Sequence, residues 1–186
     1  MKHDTEEIAL IDAAKSDPVA FGKLYRRYVD KIYNYIYYRT GSVRDAEDLT
    51  ERVFFKAMSH IKGYKHMGLP FSAWLYRIAH NLVANFHRDR SRKKEISLDN
   101  LPGQSLPQRD PHPESHAVHK QEVEDLLETI RDLADNRQEL LILKFIDQLS
   151  NAEIGQIMRK SEGAIKSLYH RTLLELREKM DLHREG

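Results

Sequence analysis

The chain has 186 residues, 32% of them charged and 40% hydrophobic, with a formal net charge of +1 and no cysteine. That composition suits a globular chain of one ordinary domain or two small ones, and no apolar run approaches the roughly 20 residues that span a bilayer, so membrane insertion is not expected. The absence of thiols excludes disulfides, thiolate metal sites and cysteine nucleophiles together. The acidic opening MKHDTEEIALIDAAK lacks a basic start, an apolar stretch and a small-residue cleavage site, which points to the cytoplasm.

Apolar periodicity and punctuation predict helices over Glu6 to Lys15, Asp17 to Arg39, Ser42 to Ile61 and Phe71 to Lys94, with no convincing strand alternation. Ser42 with Asp45 resembles a capping box, and Gly41 and Gly63 sit where helices should stop. The tyrosine-rich stretch Tyr33 to Tyr38 reads as core and helix-packing surface rather than a base-stacking platform. From Ile96 to Glu114 the sequence holds four of the six prolines and no helical pattern, so this stretch is a linker. After it, helices are expected over Glu114 to Leu133, Asn136 to Ile146, Ser150 to Met158 and Ser161 to Met180. The fold expected is all-α: an N-terminal domain over residues 1–95, a linker over 96–114 and a second helical domain over 115–186.

The last two helices have helix-turn-helix spacing, a short helix capped by Ser150, a tight turn at Arg159 and Lys160, and a longer helix capped by Ser161. At 100° per residue, Ile165, Leu168, Tyr169, Thr172, Leu176 and Met180 share one face, while Gly163, Lys166, Ser167, His170 and Arg171 lie on the other. The second set suits DNA. Gly163 and Ser167 permit close approach to a groove, and Lys166 and Arg171 can meet phosphate or guanine. A charged outer face also fits a helical hairpin that binds nothing.

A second basic concentration ends the first domain. There Phe71, Trp74, Leu75, Ile78, Leu82 and Phe86 are expected to form a buried stripe, with Arg77, Asn81, Ala84 and Arg88 on a polar stripe away from it. The run from Arg88 to Lys94 carries five basic residues against one acid, enough for several phosphate contacts, although cations are also favoured at helix C-termini for local reasons. On the helix from Ser42, Ala46, Leu49, Val53, Phe54 and Ala57 face inward, but Phe55 points outward among Arg44, Asp48 and Glu51. Periodicity leaves two readings of Phe55 open, cover by another helix of the same domain or an anchor for a second protein.

Three segments, Asp45 to Met58, Phe71 to Arg88 and Ser150 to Arg177, together resemble the extracytoplasmic-function group of bacterial RNA polymerase sigma factors. The resemblance implies a first domain that binds core polymerase and the minus-10 promoter element, and a second that binds the minus-35 element. Asp48, Glu51 and Phe55 then fall at the polymerase-binding surface. Tyr64, Lys65, Arg77, Asn81 and Arg88 fall at the minus-10 element, with Tyr64 and Asn81 at a pocket for a base flipped from the nontemplate strand. Gly163, Lys166, Ser167, His170 and Arg171 fall at the minus-35 duplex, while Leu168 and Leu173 stand where some relatives carry further arginine. The partners implied are core RNA polymerase and promoter DNA, duplex and single-stranded, with an anti-sigma factor as a further candidate. No cofactor or metal is expected, since His112, His116 and His119 lack an accompanying ligand pattern. No phosphate-cradling loop, nucleophile elbow or paired catalytic carboxylates are visible, so the chain is not expected to be an enzyme. The rival reading is a self-sufficient dimeric DNA-binding regulator, which would need a self-complementary apolar surface.

Overall fold

A computed structural model describes residues 2–66, 69–98, 129–130 and 132–184. The chain divides into two compact units, Met1–Gln108 and Arg109–Gly186. Every regular element among the described residues is helical.

In the first unit the order is α1 (Lys2–Ala14), α2 (Pro18–Thr40), α3 (Val43–His60), a 3-10 turn (Ile61–Gly63) and α4 (Phe71–Leu98). Local chemistry fixes the boundaries. Asp17 caps α2 by accepting the Val19 N–H at 2.8 Å, and Pro18 follows where its missing N–H costs nothing. Gly41 ends α2 at φ 68, donating its N–H to the Tyr37 carbonyl at 2.8 Å, a left-handed stop that glycine adopts without a Cβ penalty. Ser42 then caps α3 through the Asp45 N–H at 3.3 Å. Gly63 plays a smaller part than its position suggests: it closes the 3-10 turn, and α3 has already ended at His60.

Burial gathers these helices into one core. Leu24, Ile32, Tyr35 and Ile36 of α2 meet Leu49 and Val53 of α3 and Leu75, Tyr76 and Val83 of α4, all almost wholly inaccessible. Tyr35 packs edge-on against Tyr76 with ring centroids 5.4 Å apart, a geometry favoured by the ring quadrupoles. The stripe Tyr33 to Tyr38 is thus split. Tyr35 and Ile36 lie in the core, Tyr33 stacks on Tyr37, and Tyr38 is exposed. α1 lies against α2 through Ile11 and Ala14, and the Tyr28 hydroxyl donates to Glu7, which also faces Arg27 at 3.6 Å.

Two expectations need correcting here. The buried face of α4 contains Ala73, Tyr76, Ala79 and Val83 as well as Phe71, Leu75 and Leu82, whereas Trp74, Ile78 and Phe86 are only half-buried. The helix is covered over a broader arc than one apolar stripe, with Ala73 and Ala79 buried as well. α4 also continues to Leu98, so Ile96 to Leu98 are helical, with no proline before Pro102 to stop them. The remainder of the linker, its histidines and most of the helix expected over Glu114 to Leu133 lie outside the described residues.

The second unit contains α5 (Asp135–Leu141), a π-helical segment (Ile142–Ile146), α6 (Asn151–Met158) and α7 (Glu162–Arg184). Its core joins Leu140 and Leu143 to Ile154 and Ile157 of α6 and to Ile165 and Leu168 of α7. Thr172 is buried too, its hydroxyl donating to the Leu168 carbonyl at 2.8 Å. Arg137 of α5 forms an ion pair with Glu175 of α7. No described helix is long and apolar enough to cross a membrane.

Candidate polymerase and promoter interfaces

The turn between α6 and α7 shows why this sequence builds a helix-turn-helix. Ser150 and Glu153 form a reciprocal capping box, with the Glu153 N–H donating to Ser150 Oγ at 3.3 Å and the Ser150 N–H to Glu153 Oε2 at 2.6 Å. Arg159 stops α6 in the left-handed region at φ 55, and the Lys160 N–H returns to the Gly155 carbonyl at 2.9 Å. Gly155 is required there, because a Cβ would stand 2.7 Å from the Lys160 carbonyl oxygen. Ser161 starts α7 by accepting the Ala164 N–H at 3.2 Å.

From that turn α7 presents the expected two faces. Ile165, Leu168 and Thr172 are buried, Tyr169, Leu176 and Met180 half-buried, and Gly163, Lys166, Ser167, His170 and Arg171 all exposed. A Cβ added at Gly163 would meet nothing within 4 Å, so the outer face is low at that point. Arg171 donates through Nε to the Ser167 carbonyl at 3.3 Å. Lys166 is engaged at 3.0 Å by Glu162, one turn earlier, a carboxylate that wheel geometry alone leaves at the margin of the face.

In the first unit Asp48, Glu51 and Phe55 are exposed along α3. Phe55 is 66% accessible, so no other described helix of the unit covers it. Asp48 stands 3.6 Å from Arg52. Beside Phe55 an open groove runs between α2 and α3, lined by Tyr25, Val29, Glu47, Glu51, Phe55 and Met58 among others. Tyr25 and Met58 are themselves exposed, and the packing of α2 on α3 joins them to Phe55.

The loop after α3 begins with Tyr64, whose N–H donates to the Ile61 carbonyl at 2.9 Å. Its ring is half-buried edge-on against Phe71 at 5.2 Å and beside Trp74 at 5.0 Å. Burial, and secondarily the Glu7 carboxylate, raise its phenol above the ordinary value, so the hydroxyl stays protonated and can donate. Lys65, Arg77 and Arg88 are exposed and Asn81 half-buried, with Arg88 donating to Asn85 at 3.0 Å. Asn81 lies seven residues beyond Trp74, about 10 Å along α4 at the usual rise. Among the described residues no cluster of three or more histidine or acidic side chains is placed to hold a metal.

Comparison with known proteins defines the class. Residues 24–93 match the Sigma-70 region 2 family and residues 124–176 the Sigma-70 region 4 family. The extracytoplasmic-function sigma factor SigW of Bacillus subtilis is 32% identical over 174 residues, covering 89% of this chain and 91% of SigW. BldN of Streptomyces coelicolor, another of that group, is 38% identical over 157 residues, which make up 84% of this chain but 59% of BldN. Among solved structures, the sigma factor RpoE of Bartonella quintana, in complex with the anti-sigma factor NepR, shares the fold with a TM-score of 0.69 at 22% identity, covering 87% of this chain and 96% of RpoE. CnrH, solved with the cytosolic domain of CnrY, has a TM-score of 0.68 at 19% identity, with coverage of 95% and 97%. The chain belongs to the extracytoplasmic-function group of RNA polymerase sigma factors, the proteins that direct polymerase to promoters.

Proposed function

We propose that this chain binds core RNA polymerase through the α3 surface at Asp48, Glu51 and Phe55, and reads the minus-35 duplex through the outer face of α7. The loop at Tyr64 and the polar stripe of α4 would engage the minus-10 element, with the nontemplate base received at the ring cluster. The reading rests first on α7, a second helix of a helix-turn-helix whose whole polar face is free of core contacts. The chain contributes binding and strand capture, and RNA synthesis belongs to the polymerase. The complexes of RpoE with NepR and of CnrH with CnrY support an anti-sigma partner for this chain as well. Its place of action is that of the polymerase, the cytoplasm. The division into functional domains follows residues 1–95 and 115–186, with 96–114 between them.

The test is binding, with core polymerase present, to promoter fragments carrying every single minus-35 substitution at two salt concentrations. If Arg171 reads a base edge, Arg171→Ala costs about 1–3 kcal/mol on the preferred sequence and flattens the preference at one base pair. A loss shared by all sequences, with the salt slope reduced by about one unit, would instead make Arg171 a phosphate contact. Lys166, a flexible point charge, is expected to behave in that second way.

Promoter melting isolates Tyr64. Stacking on an aromatic ring contributes about 1–3 kcal/mol per base once that base is extruded, so Tyr64→Ala is expected to lower open-complex formation more than closed-complex binding. Permanganate reactivity at the minus-10 thymines should fall while closed-complex affinity holds. Equal melting by variant and parent would remove Tyr64 from the base-capture role.

A further inference from the structure

The first turn of α7 carries an acidic side chain that the functions assigned above leave without a task. Glu162 is 52% accessible, and its carboxylate points along the outer face to Lys166 at 3.0 Å. Helix capping does not require it, since Ser161 already accepts the Ala164 N–H. Stability gains only modestly from it, since an exposed pair of this kind contributes little and an acid in the first turn gains about 0.3–1 kcal/mol from the helix dipole. A carboxylate carried into a DNA groove is repelled by the phosphates, and most base-edge groups in the major groove are acceptors that cannot satisfy it: guanine N7 and O6, adenine N7 and thymine O4. Donors are limited to the amino groups of cytosine and adenine. Adenine sets its own N7 acceptor beside that amine, whereas cytosine sets a ring C–H there, so cytosine is the better match.

We propose that Glu162 is a specificity-determining residue of α7, accepting a hydrogen bond from the N4 amino group of one cytosine in the minus-35 element. The inference rests on α7 being the DNA-reading helix. In the complex the same carboxylate holds Lys166 alongside, so one side chain reads a base while it positions a cation for the neighbouring phosphate. Charge balance supports this, because Lys166 offsets the repulsion that an isolated carboxylate would meet.

The experiment measures binding of the full chain with core polymerase to duplexes carrying each single minus-35 substitution, for the parent, Glu162→Ala and Glu162→Gln. The parent is expected to favour cytosine at one position by roughly tenfold or more. Glu162→Ala abolishes that preference and leaves those at other positions intact. Glu162→Gln moves the preference towards adenine, whose N6 and N7 match an amide. A uniform rise in affinity on every duplex would overturn the proposal, since a carboxylate that merely repels phosphate gives that result; so would an unchanged preference. Arg171→Ala separates the two levels of failure. If Arg171→Ala alters sequence preference or lowers affinity on every duplex and Glu162→Ala leaves the preference unchanged, α7 meets DNA without Glu162; if neither variant alters preference or affinity, the assignment of α7 itself falls.

Discussion

Replacing Phe55 and Asp48 together by alanine is expected to weaken binding to core polymerase by about 2 kcal/mol or more, roughly thirtyfold, without unfolding the first unit. An aromatic anchor buried at the centre of an interface typically costs that much when truncated. The domain itself has little to lose. Phe55 is 66% accessible, and Asp48 makes only the exposed pair with Arg52 at 3.6 Å, so neither truncation opens the core formed by Ala46, Leu49, Val53 and Ala57. Titration of labelled core polymerase with parent and variant, alongside their thermal melts, separates these effects. Unchanged affinity would remove the α3 surface from the interface, and a large drop in melting temperature would make Phe55 structural instead.

Gly155→Val is expected to be the more damaging change to the protein itself. The Cβ of any residue at 155 stands 2.7 Å from the backbone oxygen of Lys160 and 3.7 Å from Ile165 Cγ1. The oxygen cannot swing aside as a flexible side chain would, because the Lys160 N–H is bonded to the Gly155 carbonyl and the Arg159 turn sets its direction. Overpacking of this kind costs about 1–3 kcal/mol, and a β-branched residue recovers little of glycine's helix penalty. A unit of this size is held by only about 4–12 kcal/mol, and each kcal/mol moves the midpoint by roughly 4–8 °C. Gly155→Ala should show a smaller loss, partly offset by alanine's better helix propensity of about 1 kcal/mol. Calorimetry of the full chain should show the transition of the second unit lowered and that of the first in place. Equal stability of both variants and parent would mean the turn relaxes at no cost.

These two positions show unequally how far residues announce their roles. Ser150 with Glu153, Ser161 and the Arg159 stop are read from local rules, since caps depend on chemistry within three or four residues, and the structure places each as expected. Phe55 is likewise visible, because one apolar residue on a polar arc is a departure from period. Gly155 was not singled out. Its requirement comes from Lys160 folding back, a tertiary fact that spacing does not encode. The π-helical segment at Ile142–Ile146 was equally hidden inside an ordinary apolar run, as was the broad buried arc of α4, where Tyr76 lies in the core and Trp74 at its edge. The groove beside Phe55 required two helices to be packed before Tyr25 and Met58 joined it. Assigning these surfaces to polymerase or promoter came from family resemblance, since periodicity shows that a face is exposed but not what it meets.

The position of Trp74 has an optical consequence. It is the only tryptophan in the chain, and its ring lies 5.0 Å from Tyr64 and 5.3 Å from Phe71. Indole emission from this protein therefore originates at a single address, beside the loop where an extruded base would enter. A tyrosine ring 5.0 Å away is close enough to pass its excitation to Trp74, and a nucleobase stacked on the cluster would be expected to quench the emission. If the minus-10 base is captured there as proposed, its arrival would be read as a change in the emission of Trp74.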